Sequence, residues 1–190
     1  MKTRLFYFIS IISSFAICCD DSPLKKNDPI KLETEEQAKQ VFRELLSIWE
    51  SEVKKLIPSK ITAYVNEIID GDGRVTVVGS VKYSSSGSSY ESRISDLNVD
   101  FQDYKKGVKF LGSVRFYDVY SYQSSCSSNG CTSVTSLYTS IDGATLTVEF
   151  EYQGKKIKDT IKIYASKKNS YASWDVEIKT ATSTFDWYGN

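Results

Sequence analysis

The chain has 190 residues, enough for one ordinary domain and a leader. Lysine plus arginine equals aspartate plus glutamate at 24 each, so no long-range positive field gathers nucleic acid. Histidine is absent, which removes the commonest general base and the commonest zinc ligand apart from cysteine. Thirteen Tyr and nine Phe, among many Ser and Thr, fit a β-rich extracytoplasmic domain better than a cytoplasmic enzyme.

The first stretch is a leader. Lys2 and Arg4 precede LFYFISIISSFAICC, residues 5–19. This is a basic region followed by an apolar run too short to span a bilayer comfortably. It ends in cysteine, and here the sequence resembles a bacterial lipoprotein precursor. The resemblance implies cleavage just before a cysteine, which becomes the lipidated first residue. Cys19 is the first choice and Cys18 the second, because cleavage before Cys18 would follow Ile17, where the family prefers a small residue. Without the leader the chain carries 22 positive and 24 negative side chains, a net charge of −2. Asp20, Asp21, Ser22 and Pro23 open a polar tether that runs to Glu33. The lipid would be the sole anchor, since no later stretch approaches the 18 or so apolar residues of a spanning helix.

Thr34 to Ile57 is the one clear helix. Thr34 and Gln37 have capping-box spacing, and Glu35 and Glu36 suit the positive end of the helix dipole. Ala38, Val41, Phe42, Leu45, Trp49, Val53 and Leu56 recur at three- and four-residue steps, and Pro58 ends the run. About 22 residues would make a rod of roughly 33 Å.

The period then changes to two. Ile61 to Ile69 reads as a strand, and Asp70-Gly71-Asp72-Gly73 as a hairpin turn rather than a calcium-loop fragment, since the later ligands are missing. Val75, Val77, Val81 and Tyr83 share one face of the next strand; residues 84–89, SSSGSS, read as a loop. Leu97, Val99 and Phe101 mark a third strand. Residues 108–121 form a long one of mixed pattern, consistent with a bulge. Leu146, Val148 and Phe150, then Ile157, Ile161 and Ile163, then Trp174, Val176 and Ile178 alternate with polar residues. Gly79-Ser80-Val81-Lys82-Tyr83 resembles Gly112-Ser113-Val114-Arg115-Phe116, which two similar strands explain without a duplication.

Cys126 and Cys131, in CSSNGC, read as a disulfide staple in an exported chain; a metal pair would want two more ligands. Tyr117, Tyr120 and Tyr122 sit among Ser and Asn, the composition of binding loops, although a soluble loop beside a tyrosine-rich sheet is the simpler reading. No nucleophile elbow, phosphate loop or zinc-protease motif occurs. Glu149 and Glu151 share a strand face and read as solvating residues before they read as a catalytic pair.

The sequence thus predicts a leader (1–18), a lipid-anchored tether (19–33) and one α+β domain (34–190). In that domain the amphipathic helix would pack on one face of a strongly bent antiparallel β-meander of about seven or eight strands. The expected role is a non-enzymatic binding lipoprotein of the bacterial envelope with a protein or glycan partner, needing no cofactor or metal and binding no nucleic acid. A second expectation is a carrier for a lipidic ligand, with a cavity lined by Phe42, Trp49, Phe150 and Trp174. A third, a hydrolase without histidine, would need two or more carboxylates converging in a cleft.

Overall fold

The computed structural model describes residues 28–128, 130–143, 145–169 and 171–189. Cys18 and Cys19 therefore lie outside the described residues. Three residues of the stretch read as a tether belong to the fold. Ile30 forms a parallel bridge with Ile157: its N–H donates to the Lys156 carbonyl and its carbonyl accepts from the Lys158 N–H. Leu32 is fully buried, and its N–H donates to Asp159 Oδ2 at 3.1 Å.

The helix begins where the capping box places it. The Gln37 N–H donates to the Thr34 hydroxyl, and the Gln37 amide oxygen accepts from the Thr34 N–H. It is shorter than expected. Regular α-helix (α1, Glu35–Ile48) spans 14 residues, then widens to a π-turn over Trp49–Val53 and tightens to a 3₁₀ turn over Lys54–Leu56. The wide turn keeps both Trp49 and Val53 buried while Ser51 and Glu52 face Lys106. Phe42 meets Trp174 and Trp187 edge-on, and Trp49 stacks on Phe116 with centroids 4.5 Å apart.

The α+β expectation fails in the balance of elements and in topology. Among the described residues the chain is mostly β, with nine strands and one short helix. The strands are β1 (Ala63–Gly71), β2 (Gly73–Ser86), β3 (Tyr90–Lys105), β4 (Lys109–Ser127), β5 (Gly130–Asp142), β6 (Thr145–Tyr152), β7 (Lys155–Lys167), β8 (Trp174–Lys179) and β9 (Thr184–Gly189). All pairings between them are antiparallel, but they do not follow in series. β4 pairs with both β5 and β6, and β7 pairs with the same two, so β4–β5–β7–β6 close into a four-strand ring. β5 and β6 follow one another along the same side of β4, and Gly112, at φ +114°, marks the joint. A Cβ there would stand 2.5 Å from the Thr145 carbonyl oxygen, which explains glycine at that position. The bulge falls on β3 instead, between Phe101 and Tyr104, where Asp103 takes positive φ.

The regions read as loops are the ends of long hairpins. SSSGSS narrows to a tip at Gly87–Ser89, and residues 117–136 are almost wholly strand. Ser and Tyr there extend the ladder because cross-strand pairing satisfies their backbone without burial. The apolar rows converge on one core that includes Val75, Val77, Leu97, Val99, Phe116, Ile161 and Val176. Asp159 interrupts the dry face of β7 between Ile157 and Ile161. It accepts from the Leu32 and Thr160 N–H groups and pairs with Lys31 at 3.4 Å, so the buried carboxylate pins the N-terminal segment.

Cys126 and Cys131 form the disulfide, as cross-strand partners at the tip of the β4–β5 hairpin with Cα atoms 4.0 Å apart. Closing so short a loop stabilises by about 2 kcal/mol in the chain-entropy model. Replacing both with serine is therefore expected to lower the thermal midpoint by about 4–8 °C. It should also raise amide exchange in residues 122–135 without disturbing the core, as read by calorimetry and hydrogen exchange.

Candidate functional site

Alternation along the strands fixes what lies beyond the apolar core on the helix side of the sheet. Cross-strand partners share a face, so the registers define successive rows. Gly79, Leu97, Phe116, Ile141, Ala165 and Val176 form the last largely apolar row. The next is Val81, Ser95, Asp118, Thr139 and Lys167, followed by Tyr83, Arg93, Tyr120 and Leu137. One row further stand Ser85, Glu91, Tyr122 and Thr135. Within two rows the inner face turns from aliphatic to charged and aromatic.

A cleft of about 420 Å³ opens at this transition. Arg93, Asp118, Leu137, Thr139 and Lys167 come from the sheet, and Leu46, Glu50 and Lys54 from the helical segment. Asn169 and Trp174 complete the lining. Asp118 is buried; it accepts from the Thr139 hydroxyl at 2.7 Å and from Arg93 Nη2 at 3.5 Å. Lys54 is tied to Glu50 at 2.9 Å. Lys167 has no ion pair among the described residues. Arg93 Nε, and Ser95 Oγ on the residue paired with Asp118, are buried without a hydrogen-bond partner among the described residues. Each such group costs about 1–3 kcal/mol, and concessions of this kind concentrate at functional sites.

The three tyrosines singled out by composition are split. Tyr120 and Tyr122 lie on the inner face, half-buried, beside the cleft row. Tyr117 lies on the outer face, half-buried, with its ring edge-on to Tyr138. Next to it Arg115 clamps Asp96 with two contacts of 2.7 Å. That hydrogen bonding holds the Asp96 carboxyl below the usual carboxylate range. The residues that composition missed, Arg93 and Asp118, were detectable. Asp118 occupies the dry phase of β4 after Val114 and Phe116, and a charge in that phase needs a partner.

Phe42, Trp49, Phe150 and Trp174, the expected lining of a lipid cavity, are all buried. Phe42 packs on Trp174, and Trp49 on Phe116. Glu149 and Glu151 lie on the outer phase of β6; Glu149 binds Lys156 at 2.6 Å and Lys158 at 3.4 Å. The Lys156 hydrogen bond, aided by Lys158, keeps the Glu149 carboxyl below its usual range. Comparison with family models, curated proteins and solved structures gives no match. The functional reading therefore rests on this geometry.

Proposed function

We propose that the chain is a non-enzymatic binding module of the bacterial envelope, held to a membrane by a lipid on Cys19. Its partner is a protein or a glycan, engaged by the inner face of the projecting hairpins. One observation carries this reading: the sheet side that buries the helix changes, past Phe116, into two rows beside the cleft, the first with Asp118 and Thr139 and the second with Arg93 and Tyr120. Tyrosine offers rigid amphipathic area there at low entropic cost, and Ser and Thr offer adaptable hydrogen bonds. The packed rings of Phe42, Trp49 and Trp174 lend no support to a lipid carrier. Glu149, tied to two lysines, lends none to a carboxylate-pair hydrolase.

Glycan and peptide arrays test the proposal. The native chain is expected to bind a defined subset. The double variant Y120A/Y122A should lose roughly tenfold or more, since aromatic anchors carry a large part of such interfaces. Y117A, on the opposite face, should bind like the native chain. Equal signal from the native chain and Y120A/Y122A, or none from the native chain, counts against the proposal.

A further inference from the structure

We infer that the cleft takes a carboxylate-bearing sugar, its carboxylate received by Arg93 and Lys167. The inference rests on the binding-module reading and names the ligand class for the same site. Three cations line the cleft, Arg93, Lys54 and Lys167, against two acids, Asp118 and Glu50. Lys54 is satisfied by Glu50. Asp118 already accepts a short bond from Thr139, and its contact with Arg93 is long, at 3.5 Å. Lys167 makes no ion pair among the described residues. One positive charge is left over, so the complementary ligand carries one negative charge.

The guanidinium selects its form. Its side chain is about one-fifth exposed, with Nε buried and Nη2 3.5 Å from Asp118. A guanidinium suits a carboxylate, and Lys167 adds a point charge in the lining of the same cleft. The remaining lining favours a sugar body. Thr139, whose hydroxyl proton goes to Asp118, keeps acceptor lone pairs, and Asn169, whose amide oxygen accepts from the Tyr171 and Ala172 N–H groups, keeps its NH₂ donors; Leu137 and the margin of Trp174 add apolar surface. The volume of about 420 Å³ falls in the range of small-molecule sites.

The test titrates the full chain with glucuronate, its methyl ester, glucose and N-acetylglycine, followed by nuclear magnetic resonance shifts and calorimetry. Glucuronate is expected to shift signals of Arg93, Lys167 and Trp174. Its affinity should fall about tenfold or more with the methyl ester or in K167A, a variant of a half-buried side chain that leaves Asp118 and Thr139 in place. Three outcomes overturn the inference. Equal binding of the ester or glucose removes the carboxylate and leaves the binding-module reading standing. N-acetylglycine matching glucuronate removes the sugar. No shift from any probe removes the inference, while the array result decides the wider reading separately.

Discussion

Alanine at Cys19 is expected to move the chain from the membrane fraction to the soluble fraction. The proposed anchor, two acyl chains with about 14 buried methylenes each at about 0.8 kcal/mol per CH₂, would supply roughly 20 kcal/mol of transfer free energy. No helix among the described residues is long and apolar enough to cross a membrane. Loss of the acyl chains should therefore cut the membrane-bound share by roughly tenfold or more. C18A should stay membrane-bound. Fractionation followed by mass spectrometry of the N-terminal peptide reads both. A C19A chain that still pellets with membranes, or a native peptide without acyl mass, removes the lipid anchor from the proposal.

The second large effect lies in the core. Trp49→Ala should destabilise the fold by about 3–5 kcal/mol, the range for deleting a large buried aromatic side chain. Trp49 is 1% exposed and stacked face to face on Phe116, and it sits on the π-turn. The cavity would open between the helical segment and β4, next to the cleft row. Urea unfolding followed by circular dichroism measures the loss. An effect under about 1 kcal/mol would show that the helix contributes little to covering the sheet.

Local signals were legible where one short-range rule decides the outcome. Thr34 and Gln37 set the start of the helix, and strict alternation set the buried faces of β6, β7 and β8. The Cys126–Cys131 pairing followed from the closeness of the two cysteines in the sequence. Long-range pairing was not legible. Nothing local says that β6 continues along β4 after β5, because that depends on Gly112 and the Thr145 carbonyl meeting across the sheet. Strand length was underestimated in the Ser- and Tyr-rich stretches, since composition marks them as loops while pairing makes them hairpins. The same error grouped Tyr117 with Tyr120 and Tyr122. In a loop the three could cluster, but in a strand odd and even positions part company.

The bridge between Ile30 and Ile157 has a consequence for orientation. It moors the incoming chain beside the start of β7, whose partner Phe150 lies level with the start of β4. The CSSNGC tip lies at the far end of β4, about 60 Å of contour away at about 3.3 Å per residue. Between Cys19 and Ile30 the backbone can reach at most roughly 40 Å. On the proposed reading, attachment falls at one pole and contact toward the other. On that reading the pleated length of β4 contributes to how far the binding face stands off from the membrane.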